Sequence, residues 1–288
     1  MIQNVLSIIL LIGGICYAVA ILYRASKDKE AFREERGKLS FLAPIEMIIY
    51  FFGASGISDF LLNTLTIKKF KLMADEELPG TLVACCLMPC AIFSFTLLRK
   101  ADAIDIWTLI PCAIAISIGS YIGSRLVNRI DGAKIKKIMA VALAISFVIL
   151  VIRIIISKGA SGTATSLTGI KLIIAVTLCF VTGLINMFGI PMKPTWTALF
   201  LILGLSPLST LTMVQSVGYF GPLSGGFNII KGGKYHQKMA VSAVIFGAIG
   251  AIIGVTIALS ISPTMLNIVL LLVMALTIYS IFTSKPAK

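Results

Sequence analysis

Stretches of about twenty apolar residues recur along the chain, at 5–23, 79–98, 106–124, 138–157, 208–230, 239–261 and 265–283. Each is long enough to cross a hydrocarbon layer of about 30 Å as an α-helix. Two further apolar segments, 42–66 and 170–204, are irregular. A soluble domain carries roughly 25% charged residues, whereas this chain carries 13%. The pattern predicts an all-α polytopic membrane protein embedded in a lipid bilayer, with no soluble domain.

The first run has no Lys or Arg ahead of it and no small-residue cleavage pattern after it, so it reads as a retained helix with its N-terminus outside. The net charge of +13 is explained by topology, because cytoplasmic loops collect Lys and Arg, and no nucleic-acid partner is needed to account for it. The six cysteines, at 16, 85, 86, 90, 112 and 179, all lie in apolar runs and show neither metal-site nor disulfide spacing. They read as packing residues, with the Cys85–Cys86 pair nearest to a possible site. No metal and no cofactor is expected.

Charge placement decides how the two irregular segments lie. With Arg153 and Lys193 set aside inside apolar segments, 23 basic residues remain. If both irregular segments cross the membrane once, 15 fall inside and 8 outside, and the loop "RLVNRIDGAKIKK" (125–137) is stranded on the wrong face. If both enter halfway and return, 19 fall inside and only 4 outside. The second arrangement obeys the positive-inside bias. It makes the C-terminus cytoplasmic in a multi-pass protein of the cell membrane. Length agrees, since residues 42–53 make roughly 17 Å of helix, about half a bilayer. The breaks then fall at "GASGIS" (53–58) and "LINMFGIPMKP" (184–194). Irregular backbone at such depth survives only where it is buried in protein or lines a wet cavity.

Shifting the chain by 131 positions overlays "SIGSYIGSRL" (117–126) on "AIGAIIGVTI" (248–257), and a shift of 130 puts Gly53 on Gly183. The glycines themselves read as helix-packing residues. Their recurrence at one offset predicts duplication. Each half is a broken hairpin followed by three spans, and an odd number of spans places the halves upside down relative to each other. The expected fold is seven spanning helices plus two broken re-entrant hairpins in two inverted repeats, a plan used by secondary transporters. The expected divisions are 1–40 (N-terminal helix and basic linker), 41–157 (first repeat) and 170–284 (second repeat).

The stretches "GLINMFGIPMKPTWTALFLILGLSP", "TLTMVQSVGYFGPLSGGFNIIKGGKYHQK" and "AIGAIIGVTIALSISP" resemble the sulfite exporter TauE/SafE family, also called the TSUP transporters. The first half, from "FFGASGISDFLLNTLTI" onward, resembles it more loosely, and together the two cover about 41–284. The family's triple glycine is replaced in the two breaks by Ala54-Ser55-Gly56 and Asn186-Met187-Phe188-Gly189. The resemblance implies movement of sulfite, sulfonates or related small sulfur-containing anions.

A half-helix that begins at membrane depth presents unpaired N–H groups and the positive end of its dipole. Lys193 stands just before Pro194, which suits a first helical turn. Amides, dipole and ammonium together predict an anion cradle. Snorkelling of Lys193 along the irregular segment is the other reading. The candidate substrate-binding residues are Ser55, Gly56, Ser58, Asn186, Gly189, Lys193, Thr195, Gln215 and Ser216, with Tyr219, Thr81 and Cys85 as further pocket candidates; interhelix hydrogen bonding is the other reading of Gln215, and Trp196 is read as a packing residue or a wall of the site. Ser58 is expected to cap the half-helix that starts near Asp59. Asp59 is a candidate for pairing with Lys193 or for carrying a coupling proton or cation. Glu46 is expected to reach headgroups, Arg153 the outer interface, the run 24–38 to form a solvated cytoplasmic helix, and His236 to stay solvated in its loop.

Catalysis has little to work with. There is no HExxH motif, the sole histidine lies in a loop, and no Asp or Glu follows Asp131. No catalytic residue and no enzyme activity is expected. A passive channel for small anions and a carrier of non-sulfur carboxylates are the alternatives to a carrier of sulfur anions. The sequence assigns no oligomeric state.

Overall fold

The computed structural model describes residues 2–100, 104–127 and 162–260, together with 262 and 265. The expected spans 138–157 and 265–283, most of the loop 125–137, Arg153 and the C-terminus lie outside the described residues. Within them the chain is helical, without a β-strand; Ala164 and Leu205 form an isolated bridge. The helices are α1 (Ile2–Lys27), α2 (Lys29–Glu34), α3 (Leu39–Gly53), α4 (Asp59–Phe70), α5 (Leu78–Leu98), α6 (Ile106–Val127), α7 (Gly169–Asn186), α8 (Lys193–Ile202), α9 (Pro207–Gly232), α10 (Gln237–Ser242) and α11 (Ala248–Ser260). A π-helical turn, Ala243–Gly247, joins the last two into one rod.

Five helical stretches are long and apolar enough to cross a membrane: α1, α5, α6, α7 and Gln237–Ser260. Helix α5 is the most enclosed of them, and α1 and α7 the most open. Helix α9 has the length but not the hydropathy, because serines, threonines, glycines and Gln215 interrupt its apolar sequence. The converse holds for α7. It is apolar over 18 residues, yet the chain turns back at its end.

Contacts between chain ends sort the helices onto two faces. On one, the linker face, Arg24 at the end of α1 donates to Ile230 O (2.6 Å), and the backbone N–H of His236 donates to Thr81 Oγ1 at the start of α5 (2.9 Å). On the opposite face Gln3 donates to Ile104 O, Asp105 N to Thr165 O (2.9 Å) and Leu167 N to Thr108 Oγ1 (2.9 Å).

Both irregular segments return to the face they left. Phe41 and Phe70, at the outer ends of α3 and α4, stack edge to face at 4.8 Å, and Arg36 donates to Lys71 O (3.1 Å). In the second hairpin Ala164 N donates to Gly204 O (3.2 Å) and Ser206 N to Ala164 O (2.8 Å), which ties the approach to α7 to the exit from α8. The first hairpin opens on the linker face and the second on the opposite face. Each irregular segment is thus a broken helical hairpin with both of its ends on one face.

The repeated glycines pack as expected. A Cβ on Gly119 or Gly123 of α6 would run into the backbone carbonyls of Phe180 and Leu184 in α7. One on Gly250 or Gly254 of α11 would meet those of Met47 and Phe51 in α3. Each small-residue pair lets the first helix of the other half's hairpin approach to backbone distance.

Candidate functional site

The two breaks use one local device. After α3, the amides of Ser55 and Gly56 turn back to Phe52 O and Gly53 O (3.1 Å each), and Gly56 takes φ 93°. After α7, Phe188 and Gly189 turn back to Ile185 O and Asn186 O (3.0 Å each), and Gly189 takes φ 81°. Such positive φ is open to glycine without strain. The two glycines stand 133 positions apart, a register slightly different from the 130 that aligned Gly53 with Gly183. Each chain then straightens and starts its returning helix on a charged residue, Asp59 in α4 and Lys193 in α8.

Those two residues meet. Lys193 Nζ lies 2.8 Å from Asp59 Oδ1, with both side chains almost wholly buried. The pair is close in distance but off the angle of a hydrogen bond, so both atoms keep unused bonding capacity. The ammonium also lies 5.3 Å from the centre of the Phe93 ring. About 18 Å of helix α4 separates Asp59 from the linker face and about 15 Å of α8 separates Lys193 from the opposite one. Together these match a hydrocarbon core of about 30 Å. Asp59, not snorkelling, accounts for the position of Lys193.

A small cavity surrounds the pair, lined by Ser58, Phe60, Asn186, Met192, Trp196 and Gly218 besides the two charges. It has room for about one water molecule. Ser58 caps α4, its Oγ accepting from Leu61 N (3.4 Å), as expected. Helix α8 has no side-chain cap, because Met192 occupies that position, and Pro194 sits in its first turn. Its leading amides thus have no side-chain cap. Trp196 is buried against this cavity, held by a hydrogen bond from its Nε1 to Thr182 Oγ1 (2.8 Å).

Of the sequence-derived candidates, Ser58, Asp59, Asn186 and Lys193 line this cavity. Ser55, Gly56 and Gly189 shape the turns behind it. Thr195 and Ser216 are buried beside it in sequence, each with a hydroxyl that has no partner. Gln215 reaches the other break instead, its Nε2 donating to Gly53 O (2.7 Å) and Ala54 O (3.2 Å), where it holds the open carbonyl end of α3. Two pocket candidates are corrected. Tyr219 points away, donating to Leu10 O of α1 (2.9 Å), and Thr81 stays at the linker face between Glu77 O and His236 N.

The thiols nearest the pair are Cys86 and Cys90, one turn apart on α5, rather than Cys85 and Cys86. Their sulfurs and an Asp59 oxygen lie within 4.8 Å of one another. The Lys193 ammonium already answers that carboxylate, so the set is not read as a metal centre.

Two further expectations are overturned. Glu46 does not reach headgroups; it is fully buried two turns into α3, beside Asn63, with neither carboxylate oxygen in a hydrogen bond. His236 is not solvated; only 2% of it is exposed. It caps α10 through Nδ1, which accepts from Met239 N (3.2 Å). Glu35, from the N-terminal linker, accepts from Gln237 N and Lys238 N (2.7 Å each) and approaches His236 Nδ1 to 3.2 Å. Helix α2 is solvated as expected, but the linker behind it is clasped to the helix start. Burial pushes the His236 imidazole down to about 4 and the Glu35 carboxyl up.

The sequence model of the family described as sulfite exporter TauE/SafE matches residues 79–281. The match takes in α5, α6 and everything from α7 to α11, and begins after the first broken hairpin. No curated protein and no solved structure matches the chain.

Proposed function

The chain belongs to the sulfite exporter TauE/SafE family, and from that premise we propose that it is a secondary transporter exporting small sulfur-containing anions, sulfite or organosulfonates, across the cell membrane. The observation that carries this reading is the Lys193–Asp59 pair, buried where two hairpins from opposite faces meet. A lysine at such depth costs about 2.5–3.5 kcal/mol on insertion scales and is kept where it has work to do.

The cavity is too small for sulfite while the pair is closed. An arriving anion takes the ammonium and the uncapped amides of α8, and the Asp59 carboxylate is released from its partner. A released carboxylate at this depth needs a proton or cation, which makes Asp59 the coupling group. Ser58, Asn186 and Thr195 supply the remaining polar contacts, and Trp196 closes the wall. A cavity with room for one water supports a carrier over an open channel, since a channel needs a continuous wet path.

The matched glycine contacts and the common turn support two inverted repeats, 41–157 and 170–284, behind an N-terminal unit, 1–40. The clustering of basic residues at 24–38, 68–71 and 231–238 supports a cytoplasmic linker face with the N-terminus outside.

Counterflow in proteoliposomes tests the proposal. Labelled sulfite is expected to accumulate transiently against an unlabelled load, with taurine, sulfoacetate, thiosulfate and simple carboxylates as competitors. Equilibration without overshoot would indicate a channel, and competition by carboxylates alone would remove the sulfur assignment. Lys193→Ala is expected to abolish the overshoot.

A further inference from the structure

Glu46 is a buried acid that the anion site does not use. It lies on α3 between the linker face and Asp59, fully enclosed, and neither of its oxygens has a hydrogen-bond partner. The side chains around it are polar and equally enclosed. Asn63 is beside it, with an unpartnered Oδ1, and Tyr50, one turn further along α3, has an unpartnered hydroxyl. Asn63 is itself one turn from Asp59 on α4. The four residues form a polar track, Glu46 and Tyr50 on one half-helix, Asn63 and Asp59 on the other, pointing from the linker face toward the ion pair.

An ionised carboxylate removed from water, with no charged donor and only the Asn63 amide beside it, is too costly to keep, so a proton or a cation must accompany Glu46 in this conformation. A cation site would need several oxygens converging on it. Here one carboxylate has one amide and one hydroxyl near it, an environment that suits a proton. The surrounding titratable groups are few. Asp59 faces it from α4, Tyr50 from its own helix and Cys85 from α5. The rod packed along α3, Gln237–Ser260, carries Lys238 at its start and no titratable side chain beyond it.

We propose that Glu46 is a proton-binding site of the transport cycle, a relay station between Asp59 and the linker face. When the anion draws Lys193 away, the exposed Asp59 carboxylate takes up a proton from the side opposite the linker face. Asn63 bridges the two acids. When Lys193 returns, that proton passes from Asp59 to Glu46 as the proton already on Glu46 leaves through the linker face. One proton enters at Asp59 for each one that leaves from Glu46, and no other bond is made or broken. The proposal rests on the transport reading above.

The test uses full-length protein in proteoliposomes with radiolabelled sulfite. Exchange at equal pH on both sides is compared with accumulation under an imposed pH gradient, and protein-free vesicles measure the part due to sulfite's own protonation. Wild-type protein is expected to accumulate sulfite with the proton gradient and not with a sodium gradient at fixed pH. Glu46→Gln is expected to lose gradient-driven accumulation down to the protein-free level while exchange persists without its pH dependence. Glu46→Asp restores accumulation in part. Accumulation by Glu46→Gln equal to wild type, or driving by sodium in place of protons, overturns the assignment while leaving the transporter intact. Absence of any wild-type exchange removes both. If Glu46→Gln is recovered unfolded, the sodium-versus-proton comparison on wild type and Glu46→Asp still decides.

Discussion

At the scale of single residues, the buried pair sets the largest expected effects. Removing one member of a buried ion pair leaves an uncompensated charge, at a cost of about 3–5 kcal/mol. Lys193→Met and Asp59→Asn are each expected to lower the thermal unfolding temperature in detergent. The double variant should fall by clearly less than the two decrements combined, since neither charge is left behind. Additive losses would show that the 2.8 Å contact carries no coupling. His236 gives a second, pH-dependent case. Its imidazole titrates near 6.5 when unfolded and is pushed down to about 4 in the fold. The folded state therefore binds its proton later, and stability is lost as pH falls from about 6.5 to about 4, by up to about 3 kcal/mol. The raised carboxyl of Glu35 acts the other way, favouring the fold below its unfolded range, and Glu77 and Lys238 are the other charges near the imidazole. His236→Asn keeps a good helix cap and removes the imidazole. Its melting temperature should vary less with pH across that window. An unchanged slope would assign the acid sensitivity elsewhere.

At the scale of elements, the hairpins depend on two glycines and one amide. Gly56 and Gly189 sit at φ 93° and 81°, where a side chain costs about 1–2 kcal/mol. The second site is also crowded, because a Cβ there would press on Leu82 and on the backbone of Pro79 at 3.2–3.3 Å. Gly189→Ala is expected to lower both melting temperature and sulfite counterflow. Gly56→Ala should show the backbone cost of its φ. Gln215 is different in kind. Its amide satisfies Ala54 O and adds a second bond to Gly53 O, which also accepts from Gly56 N, at the open end of α3, and leaving Ala54 O buried and unpaired costs about 1–3 kcal/mol. Gln215→Leu should therefore loosen the first break without touching the Lys193 ammonium. The expected signature is a lower melting temperature with the sulfite-induced stabilisation of the remaining folded protein retained. Loss of sulfite binding with normal stability would put Gln215 back in the pocket.

At the scale of the whole molecule, what could be read from sequence divides by how local its physics is. The breaks were legible because glycine, proline and asparagine inside apolar runs have few other uses, and the hairpins were legible because loop charge counts the number of crossings. The pairing of Asp59 with Lys193 was readable as one option, since each charge alone would be costly at depth. His236 was not, because its burial depends on Glu35 some 200 positions earlier closing over the same helix start. Glu46 was misplaced because nearness to a segment's start says nothing about what other helices enclose it. Tyr219 and Thr81 were drawn to the pocket by residue type alone and are held elsewhere by partners on α1 and the linker face.

The arrangement that emerges has a consequence for orientation. The linker face carries the basic residues of 24–38, 68–71 and 231–238, whereas the opposite face, among the described residues, carries Arg99, Lys100 and Lys171. Short loops rich in Lys and Arg stay in the cytoplasm, so the first hairpin is expected to open inward and the second outward. Lys234 and Lys171 are exposed on the two faces, and single cysteines there report the orientation directly. In a Cys16→Ser background, Lys171→Cys is expected to react with a membrane-impermeant maleimide in intact cells. Lys234→Cys should react only in inverted vesicles. The reverse pattern would turn the protein over and place the Glu46 track on the outer side of the site. Labelling of both positions from one side would be incompatible with hairpins that enter from opposite faces, and with it would go the meeting of Lys193 and Asp59 at mid-depth.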